Sequence, residues 1–405
     1  MQILVLDTIH GGKEIALAFA DAGHTVDAVD VYHGTTPDLF AAAKTRPYNL
    51  IVAPVHLDPD HPLLKRRNVP VITHHEAVRQ LLENNLPHPM VEITGTRGKT
   101  TTAHALAHVF LGKGVLHTST GTYTYPTKSL LWKRSITPAS ILSAVKYANQ
   151  MPGWLIAEES LGVTGAADLA IITSSEDYKF ANGRKCAIKA KIASAAHAKR
   201  ILVADNVLCD YDNVVRVGDV ARCDGMECTV AFEGMKFIIK NPLFLLPPYR
   251  ASLMLAAAAA MILHINPVPL NHFAALPGRM SVSNAGDLIV IDNSNSGTNV
   301  TTTLCAARYA RHCAGSTDLT LVIGQAESDG AVCEGFAVDQ IIYAIEKIEP
   351  RHVVWVGKFP EPGSREHREI TPRIDVICPT LDEGRQEALR ITRSGSIVLA
   401  VKTWR

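Results

Sequence analysis

The strongest constraint on the fold of this 405-residue chain is a glycine-containing loop that joins a strand pattern to a helix pattern. Residues 90–94 predict a strand, and residues 100–111 carry apolar side chains at helical spacing. Gly112 and Gly114 end the helix pattern. A strand, such a loop and a helix in this order are typical of α/β proteins with a parallel sheet.

The loop has the residue types of a phosphate-binding site. With the first residues of the helix, it consists of Gly95, Thr96, Arg97, Gly98, Lys99, Thr100 and Thr101. Glycines allow successive N–H groups to face phosphate oxygens, and the helix N-terminus adds the positive end of its dipole. Lys99 would supply a charge to the transferable phosphates, and Thr100 a hydroxyl to Mg²⁺. The loop therefore predicts binding of ATP and Mg²⁺ rather than a turn that merely starts a helix.

Strand and helix patterns alternate along the whole chain, which predicts an α/β fold class. Apolar and β-branched runs predict strands at residues 3–6, 25–31, 49–53, 69–73, 154–157, 169–173, 201–203, 288–292, 319–323, 352–356 and 397–401. Two prolines, Pro87 and Pro89, and the Pro-Gly pair at residues 277–278 interrupt this rhythm. We therefore predict three domains, over residues 1–87, 88–279 and 280–405.

The composition of the chain argues against several classes of binding partner. Forty Lys and Arg residues stand against 39 Asp and Glu, a formal charge of +1 that gives no positive field for nucleic acid. The longest apolar run, residues 253–263, is far shorter than the roughly 20 residues that cross a bilayer. The N-terminus lacks a basic signal-peptide segment, and the eight cysteines include no Cys-x-x-Cys pair. We expect no nucleic acid, no membrane, and a cytoplasmic location with reduced thiols.

The phosphate loop departs from the longest P-loop pattern, because Ile93 stands where that pattern has glycine. The shorter form, Gly-Thr-x-Gly-Lys-Thr, resembles the loop of the Mur ligase superfamily, which includes peptidoglycan peptide ligases and folylpolyglutamate synthase. Further motifs match in order over nearly all of the chain. The resemblance implies a Rossmann-like N-terminal domain, a central P-loop ATPase domain and a C-terminal α/β domain. It also implies an ATP-dependent ligase that forms an acyl phosphate and releases ADP and phosphate.

The same resemblance implies catalytic roles for Lys99, Glu158 and Lys191. Glu158 matches a Mg²⁺-binding glutamate at a strand end, with Glu159 pointing to the opposite side, and Thr100 is the other predicted metal ligand. Lys191 matches a lysine that is often carbamylated to hold a second Mg²⁺; the alternative is a solvated surface lysine. Thr137 and Pro138 resemble a segment near the substrate.

The C-terminal part of the chain carries three more residues that the resemblance assigns to the nucleotide. Arg279 matches an arginine that reaches phosphate at the domain junction, and Asp292 and Asn295 match a nucleotide-binding segment. Two departures affect the central domain. Tyr178 replaces a metal-facing histidine, and residues 249–253 replace the usual adenine-site segment.

Within the superfamily, residues 4–12 and 29–32 are most similar to an archaeal branch, the coenzyme F430 synthases of methanogens. That likeness implies that the substrate is a nickel tetrapyrrole polycarboxylate whose final carbocyclic ring is closed from a seco-acid precursor. A basic and histidine-rich group in the first domain could meet its carboxylates: Lys65, Arg66, Arg67, His56, His61, His74 and His75. Two alternatives remain open, an amide-forming ligase, for example of archaeal wall peptides, and a non-enzymatic P-loop nucleotide sensor.

Overall fold

The computed structural model describes residues 1–65, 68–82, 85–151, 153–326 and 335–403, and the elements below lie within these ranges. The predicted α/β class is confirmed, since parallel sheets carry helices along the chain. Contacts divide the chain into two compact units, Met1–Phe273 and Ala274–Arg405. The finer boundaries at residues 87/88 and 279/280 stay predictions.

The first sheet lies at the N-terminus and has the strand order β2-β1-β3-β4, all parallel. Its elements are β1 (Gln2–Leu6), α1 (Gly12–Asp21), β2 (Thr25–Val29), α2 (Pro37–Ala43), β3 (Leu50–Ala53), β4 (Val71–Thr73) and α3 (His74–Leu82). Four of the five residues of β1 are buried, as expected of a central parallel strand with both faces covered.

The second sheet has β5 near its centre, in the order β14-β13-β10-β5-β9-β6-β7-β8. Its strands are β5 (Met90–Thr94), β6 (Gly114–Thr118), β7 (Gly121–Tyr125), β8 (Ser129–Trp132), β9 (Trp154–Glu158), β10 (Leu169–Ile172), β13 (Arg200–Val203) and β14 (Val214–Arg216), and a separate hairpin pairs β11 (Lys179–Phe180) with β12 (Lys185–Cys186). The helices are α4 (Lys99–Val109), α5 (Pro138–Gln150), α6 (Ala187–Ala195) and α7 (Val217–Val220). The pairs β6–β7 and β7–β8 are antiparallel, so this edge differs from the parallel pattern that we predicted.

A small antiparallel sheet follows, which the sequence analysis did not predict. It consists of β15 (Ala221–Asp224), β16 (Glu227–Phe232) and β17 (Met235–Lys240). The long apolar helix predicted over residues 253–263 lies largely within α8 (Pro247–Ile262), in which alanines 256–260 are buried and which packs against α4. No helix of the described chain has the length and apolarity that a bilayer span requires.

The second unit contains one mixed sheet in the order β18-β19-β23-β20-β21-β22, with only the edge pair β18–β19 antiparallel. Its elements are β18 (Ser281–Ala285), β19 (Leu288–Asp292), α9 (Val300–Ala314), β20 (Leu319–Gln325), α10 (Val338–Ile348), β21 (His352–Gly357), α11 (Arg365–Ile370), β22 (Val376–Cys378), α12 (Leu381–Ile391) and β23 (Ser396–Lys402). Helix α9 begins with a capping box between Asn299 and Thr302, which fixes its start.

One apolar core joins the first two sheets within the first unit. It combines Val5 and Val78 of the N-terminal elements with Ile141 and Leu155 of the second sheet. Helices α1, α3 and α5 pack against one another in this core. Because burial of these side chains favours a fixed arrangement, the strand ends of the two sheets are held near each other.

Candidate active site

The phosphate loop connects β5 to α4 at the carboxyl end of the second sheet, where α/β proteins place their ligands. Gly95 and Gly98 have positive φ angles of 147° and 83°. A Cβ atom on Gly95 would collide with Thr173 Oγ1. The two glycines are therefore required by the backbone of the loop as well as by access for phosphate.

Lys99, Thr100 and Glu158 lie together at the start of α4. Thr100 Oγ1 donates a hydrogen bond to Glu158 Oε2 at 2.9 Å, and Lys99 Nζ is 3.7 Å from Glu158 Oε1 and 3.1 Å from the Gly95 carbonyl oxygen. The Glu158 side chain is almost fully buried, and Ser119 donates its N–H to it at 3.1 Å. Hydroxyl and carboxylate oxygens are the donors that Mg²⁺ prefers, so these side chains fit the predicted cation.

Glu159 points away from this group. Its carboxyl group is buried beside Glu92, and burial, followed by the charge of Glu92, raises the pKa of Glu159 well above its usual value. Successive residues of a strand face opposite sides, which explains why one glutamate reaches the phosphate loop and the next does not.

The phosphate loop is held by the two residues that directly follow the neighbouring strand β10. Ser174 Oγ accepts the N–H groups of Thr96 and Arg97 at 3.0 and 3.2 Å, and Thr173 Oγ1 donates to the Arg97 carbonyl oxygen. The Arg97 side chain pairs with Glu176 at 3.8 Å, but both are exposed and the pair adds little stability. Thr101 is buried in the first turn of α4.

Lys191 reaches the phosphate loop from α6. Its side chain is only 1% exposed, and Nζ donates to Thr96 Oγ1 at 2.9 Å. Nζ also lies 5.3 Å from the centroid of the Tyr178 ring, at the position where the resemblance predicts a histidine. Burial and then the charge of Lys99 lower the pKa of Lys191 to about 8. The alternative of a solvated surface lysine is therefore wrong, while the carbamate remains a prediction.

Ser119 and Ser174 were not among the predicted site residues. Each follows a strand of the second sheet, β6 and β10 respectively, at the edge that carries the phosphate loop. A search for polar residues directly after predicted strands could have found them. Residues 249–253, which replace the usual adenine-site segment, lie near the start of α8, and Ser252 Oγ donates to the Gly98 carbonyl oxygen at 3.4 Å.

Arg279, Asp292 and Asn295 belong to the second compact unit. Asp292 ends β19, and its Oδ1 accepts the Ser294 N–H at 2.9 Å. Asn295 Nδ2 donates to the Gly278 carbonyl oxygen at 2.6 Å, which ties the loop after β19 to the segment that carries Arg279. Their contacts with nucleotide stay predictions.

A cavity of about 260 Å³ lies in the first unit and is lined by residues that follow strands of both sheets, among them His56 after β3 and Ser160 after β9. His10, His56, His74 and His75 line one side, and Thr137 and Ser160 line the other. Burial lowers the pKa of His74 and of His75 to about 4, and each Nε2 donates to a backbone carbonyl oxygen.

The remaining members of the predicted basic group lie elsewhere or are not described. His61 packs edge-on against Phe40, and Lys65 pairs with Asp60. Arg66 and Arg67 lie outside the described residues. The cavity lining therefore includes neither Lys65 nor His61, and burial disfavours the charged forms of His56, His74 and His75.

The sequence of this chain is similar to those of known proteins. The model of the C-terminal domain of coenzyme F430 synthetase CfbE matches residues 282–403. The coenzyme F(430) synthetase of Methanosarcina acetivorans is 29% identical, with 100% of this chain and 99% of that protein covered.

Two solved structures share the fold at 13% identity. FolC of E. coli in complex with ADP has a TM-score of 0.60, covering 91% of this chain and 94% of that chain. The UDP-N-acetylmuramoylalanyl-D-glutamyl-2,6-diaminopimelate--D-alanyl-D-alanyl ligase of Acinetobacter baumannii has a TM-score of 0.57, covering 92% and 84%. The Mur-ligase-like architecture is thus confirmed, and so is the resemblance of this chain to the Mur ligase superfamily and, within it, to the coenzyme F430 synthetases.

Proposed function

We propose that this chain is an ATP-dependent ligase that closes the final carbocyclic ring of the nickel tetrapyrrole coenzyme F430 from its seco-acid precursor. The observation that carries the proposal is the full-length similarity to a coenzyme F(430) synthetase. The contacts among Lys99, Thr100 and Glu158 support ATP chemistry. The fold alone would not require these three side chains to lie together, so their grouping is evidence from the site itself.

The first half of the reaction makes a carboxylate reactive. A carboxylate repels nucleophiles and has no good leaving group, and transfer of the γ-phosphoryl group removes both obstacles. Lys99 and the loop amides would stabilise the charge on the transferring group. Thr100 and Glu158 would hold Mg²⁺, which neutralises phosphate charge when bound. The products of this half-reaction are an acyl phosphate and ADP.

The second half displaces phosphate from the acyl carbon. In the proposed reaction the nucleophile is a carbon of the same tetrapyrrole, so the bond that forms closes a ring. Fixing both reacting groups in one molecule can contribute up to about 7–11 kcal/mol to such a step. The cavity beside Ser160 would hold the reacting end of the substrate, since Ser160 lies two residues after Glu158.

The experiment is to incubate the protein with ATP, Mg²⁺ and the ring-open nickel tetrapyrrole acid, and to follow the chromophore and ADP together. We expect a change of chromophore that accompanies ADP release in equal amounts. The variant Lys99→Met should lower both signals by roughly 10²–10³-fold, whereas Lys113→Met, at an exposed lysine of the same unit, should retain them.

An outcome in which the acid does not stimulate ADP release would contradict the proposal. ADP release that depends instead on an added amino acid and a peptide precursor would favour the amide-forming ligase. Nucleotide binding without release of ADP under any of these conditions would favour the nucleotide sensor.

A further inference from the structure

Asp7 and His10 form a hydrogen-bonded pair directly after β1. Asp7 Oδ2 is 2.8 Å from His10 Nδ1. The other oxygen, Oδ1, accepts the N–H groups of Ile9 and His10 at 2.8 and 3.1 Å. Asp7 is fully buried and has a φ angle of 78°, a left-handed conformation that a side chain other than glycine rarely adopts. The hydrogen bonds of its two oxygens thus fix the Asp7 carboxylate against the His10 imidazole.

The imidazole of His10 faces the cavity. About half of its side-chain surface is exposed, and it is one of the residues that line this space. Because Nδ1 is bonded to the carboxylate, Nε2 is the nitrogen that can accept a proton there. An Asp–His pair of this kind fixes the imidazole in the tautomer that a general base requires.

The loop of His10 is pressed against the segment that precedes α5. Gly11 has a φ angle of 96°, and a Cβ atom there would lie 2.6 Å from Ala139 Cβ and 3.0 Å from Thr137 Oγ1. Only glycine permits this approach. Thr137 lines the cavity, and so does Ser160, which at about 3.3 Å per residue is about 7 Å along the chain from Glu158. The cavity therefore adjoins the place where the acyl phosphate would form.

The other imidazoles of the cavity are less suited to proton transfer. The Nε2 atoms of His74 and His75 already donate hydrogen bonds to the carbonyl oxygens of Leu6 and Ser160. His56 stacks on the Tyr32 ring, with 5.7 Å between centroids, and meets the edge of His10 at 5.2 Å. Its burial and the neighbouring His10 lower the pKa of His56. His10 is the imidazole that carries a carboxylate partner among the four.

Potential ligand atoms of Asp7, His10 and His56 lie within 4.8 Å of one another, which is also the spacing of a metal site. The direct 2.8 Å hydrogen bond between Asp7 and His10 favours an Asp–His pair over a metal site. A carboxylate that accepts a hydrogen bond from an imidazole orients the ring, whereas two ligands of one metal ion would both face the ion.

We propose that Asp7 and His10 form the general-base dyad of ring closure, with His10 Nε2 removing the proton from the attacking carbon and Asp7 positioning the imidazole. This inference rests on the proposed function and assigns a chemical step to a cavity of that site. It implies that the substrate presents a C–H group next to an electron-withdrawing group at His10.

His10 Nε2 takes the proton, and the electron pair of the C–H bond forms the new C–C bond to the acyl carbon. The C–O bond of the acyl phosphate breaks, and its electron pair leaves with phosphate. The proton then passes from the imidazolium to phosphate or water, so that each ring closure produces one ADP and one phosphate.

The test separates activation from ring closure in the variant His10→Ala. Hydroxylamine traps acyl phosphates as hydroxamates, which measures the first half-reaction alone. With the ring-open nickel tetrapyrrole acid and ATP, hydroxamate formation should stay within a few-fold of the wild type. Ring closure should fall by about 10²–10⁴-fold, and added imidazole should restore part of it. His33→Gln, at an exposed histidine in the loop after β2, is the matched control and should behave as the wild type.

Asp7→Asn tests the positioning residue, since asparagine tolerates the left-handed backbone but presents an amide to Nδ1. We expect a lower kcat for ring closure with an unchanged KM for ATP. His10→Gln serves as a second variant, and retained hydroxamate formation would itself show that each variant is folded.

Three results overturn the inference. The first is ring closure by His10→Ala at the wild-type rate, and the second is an equal loss of hydroxamate formation and ring closure in that variant. The third is binding of one zinc ion per chain that requires Asp7, His10 and His56. Failure of the proposed function is distinct from these: the wild-type protein itself would then form no acid-dependent hydroxamate, and the role of the dyad would fall with it.

Discussion

Lys191 should react with carbon dioxide far more readily than an ordinary lysine. Only the neutral amine adds to CO₂, and the pKa of Lys191 is lowered from 10.5 to about 8. The difference of 2.5 pH units corresponds to about 300-fold more neutral amine at pH 7, or roughly one molecule in ten. The positive charge of Lys99, which repels the Lys191 ammonium, would attract the carbamate that replaces it.

The assay is ¹³C NMR of the protein in ¹³C-bicarbonate at pH 8. We expect a carbamate resonance in the wild type that is missing from Lys191→Met. The control is Lys189→Met, two residues earlier on the same helix, because Lys189 is exposed whereas Lys191 is 1% exposed. Turnover should fall with the signal, since the carbamate is the group predicted to hold a second Mg²⁺. A wild-type protein without the resonance, or a resonance that survives in Lys191→Met, would refute the reasoning.

Two further predictions concern the phosphate loop and the core. Lys99→Met should lower turnover by roughly 10²–10³-fold in a steady-state ADP assay, because a preorganised charge next to the phosphates is removed; near-normal turnover would exclude Lys99 from catalysis. Acid should destabilise the fold through His117, which hydrogen-bonds Thr122 and Ser140 and whose burial lowers its pKa from 6.5 to about 4. Its contribution is present above pH 6.5 and is lost as the pH falls towards 4, by about 2 kcal/mol at pH 5. Urea unfolding at pH 7 and pH 5 should show a smaller loss for His117→Gln than for the wild type, and equal losses would contradict this assignment.

Local patterns were sufficient to predict much of the fold. β5 (Met90–Thr94) and β19 (Leu288–Asp292) begin and end where the sequence predicts, because apolar runs and the glycines or turns beside them are local signals. The strands that the sequence did not predict include β7, β8 and β15 to β17. Their stability depends on antiparallel partners and on shallow burial of one face, which short apolar runs do not report.

The candidate site shows the same division between local and distant information. The phosphate loop could be predicted because its residues are contiguous in the sequence. The burial of Lys191 could not be predicted, since its hydrogen-bond partner Thr96 is 95 residues away. Asp7 and His10 are three residues apart, but the cavity that gives them a proposed role is also lined by Thr137, which precedes α5, and Ser160, which follows β9. Contacts of this kind depend on packing between sheets.

The most direct test of the account uses oxygen-18 in the substrate carboxylate. If the carboxylate attacks the γ-phosphorus of ATP, the oxygen that bridges carbon and phosphorus leaves with phosphate when the ring closes. Mass spectrometry of the phosphate released by the wild-type protein should then find one oxygen-18 atom per turnover. Product formed while the released phosphate contains no oxygen-18 would contradict activation of the carboxylate as an acyl phosphate.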